Sequence, residues 1–373
     1  MSILLMIGWV VIIVGLIGGA LMYGASSMLP APQHRRQPLP RISIIVPARN
    51  EEGRIEALLQ SLERQSYQQF ELIVVDDGST DRTVIVAERY RAVVLHNDAI
   101  EHNGSGKSYA CWTGAKRARG KWLLFLDADT QFDHNTSLET LLASYAEHGA
   151  TGILSVQPYH RMKRIYENFS AIFNIMVMVG INVFTPWKGK LPAAGAFGPC
   201  LLCDREEYFA AGGHQQATDA IMDDFALADT FRDKQLPLYC YGGMGIISFR
   251  MYPEGWRQLI EGWTKNFATA SESTHRVVML LINLWMCGGM AATTGLVLSL
   301  YQSNLFALGI SMIAYLLYAG QTLYLARKTG QFHGWMFLFF PLFLLFFTSV
   351  FVYSLYRTKI MRSVTWKGRK IKV

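Results

Sequence analysis

The stretch KWLLFLDADTQFD, residues 121–133, is apolar from Leu123 to Leu126 and then turns acidic at Asp127 and Asp129. A continuous apolar run of this length reads as a strand buried on both faces. Two carboxylates at i and i+2 on an extended chain point to the same side. At the edge of a core they would repel, and one pKa would rise, unless a cation lies beside them. Hard divalent ions take oxygen ligands, and Mg2+ typically uses one or two carboxylates plus substrate phosphates. Asp127 and Asp129 are therefore candidate metal ligands. The plainer reading, solvated loop acids, suits an isolated DxD better than one closing a buried strand.

The same pattern recurs upstream. In RISIIVPARNEEGRIEALLQSLERQ an apolar strand, 42–46, stops at Pro47, and Ile55, Leu58, Leu59 and Leu62 follow at helical spacing. FELIVVDDGSTDRTVIVAERY repeats the unit as strand 71–75, a polar turn and a helix. RAVVLHND supplies a third strand and GKSYACWTGAKRA a helix that leads to the fourth. Apolar strands alternating with helices predict an α/β fold with a mainly parallel sheet covered on both faces. Ligands of such sheets bind beyond the carboxyl ends of the strands. The polar clusters after strands one, two and four all fall there.

In VVDDGSTD, Asp76 and Asp77 end strand two before a turn built on Gly78 and Ser79. Ser79, Thr80 and Asp81 all cap helices well, so Asp81 is read as a cap and Asp77 as an acceptor for a nucleobase. In VPARNEE, Pro47 and Ala48 offer a floor for a base, and Glu51 an acceptor for ribose hydroxyls. HNGSGKSYA invites comparison with a P-loop, but that motif needs Gly five residues before Gly106, and position 101 is Glu. A Gly-rich turn entering a helix still presents backbone N–H groups to a diphosphate. Lys107 would add charge beside Gly106.

PARNEE, DDGSTD, GSGKSYA and DAD, in this order and spacing, resemble the nucleotide-sugar half of family 2 inverting glycosyltransferases with the GT-A fold. The resemblance implies a UDP-sugar donor, with Asp77 near uracil, Glu51 near ribose, and Asp129 as principal ligand of Mn2+ or Mg2+. AFGPCLLCDREEY, 196–208, is similar to the family's glycine strand leading into the acceptor helix, which places Gly198 on the acceptor side. IMDDFALADTFRDKQLPLYCYGG resembles the segment with the family's acidic pair, in which Asp224 matches the usual general base. Many members carry Glu-Asp where this chain has Asp223-Asp224, which leaves both acids as candidates. Acids satisfying a helix macrodipole are the structural alternative. RQLIEGWTKNF falls where processive members carry Gln-x-x-Arg-Trp, but Leu259 and Gly262 replace the Gln and the Arg. Only Trp263 and the downstream Lys265 carry over, so a single transfer fits better than polymer synthesis. Trp263 is read either as a stacking surface for an acceptor or as an interfacial anchor.

Composition adds a membrane. The chain is 51% apolar with a mean hydropathy of +0.18, high for a soluble enzyme, and the apolar residues are clustered. ILLMIGWVVIIVGLIGGALMY, 3–23, runs 21 residues without a charge. At about 1.5 Å per residue it can cross a ~30 Å hydrocarbon core. A cleaved signal peptide competes, but the run lacks a basic leader, and His34, Arg35, Arg36 and Arg41 come after it. That order predicts an anchor over 1–30 and, after the Pro-rich linker 31–40, a cytoplasmic GT-A domain over 38–270. A membrane region and basic tail fill 271–373, with apolar stretches at 277–300, 305–326 and 335–356. If all three cross, the basic tail ends outside, against the positive-inside rule. Pro341, mid-way in the last stretch, allows a kinked or re-entrant segment instead. YENFSAIFNIMVMVGINVF, 166–184, contains Glu167, Asn168, Asn174 and Asn182 and is expected as a helix lying at the membrane surface rather than a further span. The net charge of +7 hugs these apolar runs, which fits membrane lipids and argues against nucleic acid. Cys200 and Cys203, without a second pair, read as buried thiols.

A closer resemblance covers nearly the whole chain. LLFLDADTQF, GILSVQPYH, FSAIFNIMVMVGINVF, AFGP, GGH, FRMYPEGW, EGWTKNF and WKGR are similar to the bacterial carotenoid-acid glycosyltransferases. What this implies is transfer of glucose from UDP-glucose to the carboxylate of a C30 carotenoid acid, a lipophilic acceptor reaching the site from the bacterial cell membrane. The alternatives are transfer to polyprenyl phosphate or a glycerolipid hydroxyl and, in a different class, a nucleotide-sugar sensor or a flippase-like protein. Intact carboxylates argue against the sensor, and spans almost free of ionisable groups argue against the flippase.

Overall fold

The computed structural model describes residues 3–25, 28–30, 38–97, 106–187, 189–217, 222–361, 363–366 and 369–372; the side chains of 3–5, 265–272 and 363–372 lie outside that description. The chain forms two compact units. A sheet unit takes Ser27–Arg161 and Gly195–Met251, and a helical unit takes Met1–Ser26, Met162–Ala194 and Tyr252–Val373. Residues 162–194 and 252–270, which the sequence reading takes with its 38–270 domain as interfacial helices, group with the terminal segments.

After α1 (Ile3–Met22), the sheet unit opens with β1 (Ile42–Ala48), α2 (Glu52–Glu63), β2 (Phe70–Asp76), α3 (Thr83–Arg89) and β3 (Val93–His96). It continues with α4 (Gly106–Arg117), β4 (Trp122–Leu126), β5 (Thr130–Phe132), α5 (Ser137–Glu147), β6 (Ile153–Gln157) and β7 (Tyr159–His160). After α6 (Ala171–Gly180) in the helical unit, the chain returns as β8 (Cys200–Asp204), α7 (Arg205–Ala210), α8 (Asp223–Asp233), β9 (Leu238–Gly242) and β10 (Ile247–Phe249). The main sheet has the order β3-β2-β1-β4-β8-β6-β9. All neighbours are parallel except β8, which runs antiparallel to both β4 and β6. A smaller sheet, β5-β10-β7, lies at the end of β4.

Alternation along the strands divides the core into two layers. Ile44, Val46, Val74 and Leu124 pack with Ile55, Leu58, Leu59 and Leu62 of α2, the four positions whose spacing marks that helix in the sequence. Ile45, Ile73, Val75 and Leu123 face the opposite layer, with Ala110 and Ala115 of α4 and Phe231 of α8. Cys200 belongs to the first layer and Cys203 to the second. Three residues apart on a strand they point away from each other, so both are buried thiols, and burial pushes the Cys200 thiol up.

The helical unit adds α9 (Trp256–Ser273), α10 (Arg276–Tyr301), α11 (Leu305–Arg327) and α12 (Phe340–Leu355), then a hairpin of β11 (Ser363–Trp366) and β12 (Arg369–Lys372). Helix α1 packs antiparallel to α10 through glycine. A Cβ at Gly15 would lie 3.0 Å from the Gly288 Cα, and one at Gly18 3.1 Å from the Leu281 carbonyl oxygen. Arg276–Tyr301, Leu305–Arg327 and Gly334–Ile360 are each long and apolar enough to cross a membrane. The segment expected as a surface helix differs. It is a 3-10 turn, Ile165–Ser170, that buries Glu167, Asn168 and Ser170, followed by the 10-residue α6, most of whose side chains are buried, Asn174 included. Glu167 is buried because its carboxylate accepts the backbone N–H groups of Lys163 and Arg164. Pro341 likewise does not interrupt a helix; it stands in the first turn of α12, preceded by the 3-10 segment Gly334–Phe339.

Candidate active site

The carboxyl ends of β1, β2, β3 and β4 gather the polar residues, because parallel strands deliver their termini to one edge. Asp76 completes β2 and accepts the Ser79 N–H at 3.1 Å, closing a turn in which Gly78 adopts φ +76°. Asp77 is tied to β1 by its N–H, 2.9 Å from the Ala48 carbonyl oxygen, which brings it beside Pro47 and Ala48. Its carboxylate accepts Asn97 Nδ2 at 2.8 Å and lies 3.8 Å from Arg49 Nη1. Gly106 opens α4 against this carboxylate; a Cβ there would fall 2.2 Å from Asp77 Oδ2. Asp81, as expected, is spent on caps, accepting the Glu52 and Thr83 N–H groups at 3.1 and 3.0 Å. Glu51 is fixed by its N–H to Thr83 Oγ1 (2.8 Å), and its carboxylate pairs with Arg54 at 3.3 Å.

Asp127 and Asp129 sit in the tight turn between β4 and β5, where Thr130 donates its N–H and hydroxyl to the Asp127 carbonyl oxygen. Burial, then the neighbouring charges of Asp127 and Glu51, raise the Asp129 carboxyl to about 7. This is the expected strain of crowded acids. Among the described residues no three His, Cys, Asp or Glu side chains form a closed metal cage. Asp127 and Asp129 are two carboxylates on one turn, the number that Mg2+ typically takes from protein beside substrate phosphates and water.

Lys107 joins two acidic segments. Its Nζ lies 2.8 Å from Asp127 Oδ1 and 3.8 Å from Asp224 Oδ1, bridging the turn of β4 to the start of α8. Burial pushes its pKa down, but Asp127, Asp224 and Asp223 outweigh that and hold it well above its ordinary value. The two acids of α8 divide. Asp223 Oδ2 accepts the buried Ser108 hydroxyl at 3.3 Å. Asp224 packs on Gly198, where a Cβ would fall 1.8 Å from its Oδ2. Both stand in the first turn of α8, so the macrodipole reading holds as well. Pro199, next to Gly198, accepts the Asp127 N–H at 3.0 Å.

Trp263 and Lys265 belong to the helical unit. Trp263 is 4% exposed, stacks on Phe173 at 4.8 Å and donates its Nε1–H to Ser170 Oγ at 3.1 Å. It is a core side chain here, neither an open stacking surface nor an exposed anchor. The Lys265 side chain, like Asn103 to Ser105 of HNGSGKSYA, lies outside the described residues. Asn97, Arg49 and Ser108 carry site contacts that the sequence reading passed over. Asn97 was within reach, since it ends a strand as Asp77 and Asp127 do; nothing in the spacing marks Arg49 or Ser108.

The family model "Glycosyl transferase family 2" matches residues 43–187, from β1 past the DxD turn to the segment after α6. The 4,4'-diaponeurosporenoate glycosyltransferase of Staphylococcus aureus strain MRSA252 is 41% identical over 333 residues, 89% of this chain and 88% of its own. The chain belongs to glycosyl transferase family 2. The strain USA300 counterpart of that relative is 42% identical over 334 residues, with the same coverage. Among solved structures, a mannosyltransferase from Pyrobaculum calidifontis in complex with GDP-Man and Mn2+ matches with TM-score 0.50 and 16% identity, covering 92% of this chain and 99% of its own. At that identity the likeness concerns the fold, and the fold is GT-A. This family 2 chain is thus a glycosyltransferase built on a mostly parallel sheet.

Proposed function

We propose that this glycosyltransferase moves a hexose from a UDP-sugar, glucose foremost, to the carboxylate of a long apolar carotenoid acid, forming a glycosyl ester at a bacterial cell membrane. The observation that carries this reading is the 41% identity over 89% of the chain to a relative named for that acceptor. Three apolar helices long enough to cross a bilayer support delivery of such an acceptor from lipid, in a multi-pass arrangement with the catalytic side cytoplasmic.

In this reading Asp77, oriented by Asn97, takes a uracil N–H beside the floor of Pro47 and Ala48, and Glu51 takes ribose hydroxyls. The N–H groups at Gly106 and the Lys107 ammonium face the diphosphate. Asp129 and Asp127 would hold Mg2+ or Mn2+, whose charge would stabilise the departing diphosphate. The acceptor attacks the anomeric carbon opposite UDP, with Asp224 against Gly198 on the acceptor side and Asp223 held back by Ser108. Lys265 is assigned to the diphosphate with Lys107. Expressing the full chain in cells that make a carotenoid acid tests the reading. Pigment mass should rise by one hexose, in a linkage cleaved by mild alkali. An alkali-stable product on a lipid hydroxyl, with unchanged carotenoid, would replace it.

A further inference from the structure

Resting on the membrane-embedded reading above, we propose that residues 334–360 do not cross the bilayer. They form a re-entrant hairpin that dips into one leaflet and returns to the face it left. By composition this segment is the most apolar of the three, and straight it would span. Its contacts inside the helical unit describe a different path.

Depth is set by the neighbouring helices. Tyr318 donates to the Ile12 carbonyl at 3.2 Å, Gln321 to that of Leu16 at 2.8 Å, and Lys328 to that of Tyr23 at 3.5 Å. Helices α1 and α11 are therefore parallel, and α10 runs against both. The C-terminal ends of α1 and α11 and the N-terminal end of α10 share one end of the bundle, here the near end. The hairpin starts there: a Cβ at Gly334 would lie 3.2 Å from Arg327 Nη2. Four residues later the Leu338 carbonyl accepts Tyr315 Oη at 2.6 Å, and Phe340 meets the Tyr315 ring at 5.0 Å. From Arg327 to Tyr315 is about 18 Å at 1.5 Å per residue, little more than half a ~30 Å core. That is the deepest point.

The return is equally marked. His333 donates its backbone N–H to Asn168 at 2.8 Å, and the next residue, Phe169, meets Phe343 at 4.9 Å and Phe346 at 5.2 Å. A straight helix would carry Phe343 about 15 Å from His333. Instead its ring contacts the residue next to the one that holds His333. Further on, Ser354 donates to the Thr264 carbonyl of α9 at 2.7 Å. Helix α9 presents Arg257 and Glu261 as an exposed i,i+4 pair at 3.0 Å and joins α10 at the near end, so it stays out of the hydrocarbon. The outward side chains Leu338, Phe339, Leu342 and Leu345, about half exposed, are the surface that fits acyl chains of a single leaflet.

Charge agrees. With α1, α10 and α11 crossing, the far end carries the uncharged connection Gln302, Ser303 and Asn304. The near end collects Arg276, Arg327 and Lys328, and the return path brings Arg357 and Lys359 to it. This is the positive-inside distribution that a fourth crossing, by residues 334–360, would have broken.

Single cysteines at Glu88, Gln302 and Met361, all exposed, in a Cys287→Ala background of the full chain, test the path with a membrane-impermeant maleimide. In inverted vesicles Glu88→Cys and Met361→Cys should label and Gln302→Cys should not; in intact spheroplasts the pattern should reverse. Met361→Cys labelling together with Gln302→Cys would overturn the hairpin and leave four crossings. All three labelling from one side would overturn the spanning reading itself, and the hairpin with it.

Discussion

Glycine does opposite work in the two units. In the sheet unit it makes room for charge: Gly106 admits the Asp77 carboxylate and Gly198 that of Asp224, at distances no Cβ tolerates. In the helical unit it makes room for backbone, with Gly15 and Gly288 letting α1 and α10 approach closely. The first use builds a polar edge that a ligand must complete. The second builds a dry interface complete in itself, as small residues do where lipid supplies no hydrophobic drive between helices. Substitutions should therefore cost activity in one unit and assembly in the other.

The largest effect is expected where charge is most crowded. Asp129→Asn should lower sugar transfer about 10³-fold, the scale of losing a main electrostatic partner of a leaving group. Excess chelator should do the same to the parent protein, with recovery on adding Mn2+ or Mg2+. Labelled UDP-glucose turnover measures both, and full turnover in chelator would break the assignment of Asp127 and Asp129. A second charge-related effect concerns folding. His214 is buried against Phe125 and Tyr208, and burial lowers its pKa to about 4. The unfolded imidazole takes a proton near pH 6.5, the folded one only near 4, so between them the unfolded state binds more protons. Stability should fall by about 3 kcal/mol as pH drops through that window, at ~1.36 kcal/mol per unit. Urea titrations at both ends of the window should show this slope, and His214→Gln should remove it.

How far each unit could be read from sequence follows from the same contrast. Strands β1, β2 and β4 announce themselves as apolar runs that stop at polar clusters, and Asp77, Asp127 and Glu51 stand where those runs end. Strand direction has no periodicity, so the reversal of β8 was invisible, and β5, β7 and β10 are too short to show a pattern. Lys107 is legible as a cation near a diphosphate, but its bridge from Asp127 to Asp224 depends on long-range packing of α4 against α8. In the helical unit hydropathy reports length and composition alone. It marked 166–184 as apolar and could not tell burial among helices from residence at an interface. Trp263 shows the same limit, since a buried indole and an interfacial one have one letter.

Gly198→Ala and Gly288→Leu set the two uses of glycine side by side. The first places a methyl against Asp224, beside Pro199, whose carbonyl oxygen accepts the Asp127 N–H. Transfer should drop about 10²-fold, as misplacement by an ångström can cause, with circular dichroism unchanged. The second drives a side chain into Tyr318 and the Gly15 backbone. It should cost about 2 kcal/mol, typical of overpacking, seen as a lower thermal midpoint in detergent. If Gly198→Ala instead lost stability and kept its rate, the distinction between the units would fail.

The smallest effect is the most informative about the acceptor. For a hydroxyl, a base must remove a proton, and losing it costs 10²–10⁴-fold, roughly. A carboxylic acid has a pKa of about 4–5 and arrives ionised at neutral pH, with no proton to give. Asp224 would then face a second carboxylate, and Lys107, 3.8 Å from Asp224 and 2.8 Å from Asp127, is the cation placed to offset the repulsion. Replacing Asp224 by Asn removes a negative charge that the acceptor must approach as well as a partner of Lys107, and the two consequences oppose each other. With a carotenoid acid, Asp224→Asn should cost about tenfold, far less than Asp129→Asn, whereas proton removal from an alcohol would carry the full penalty of a lost base. Parallel rates for both variants on one membrane preparation decide it, because a near-total loss from Asp224→Asn with donor binding intact means that the acceptor arrives carrying a proton.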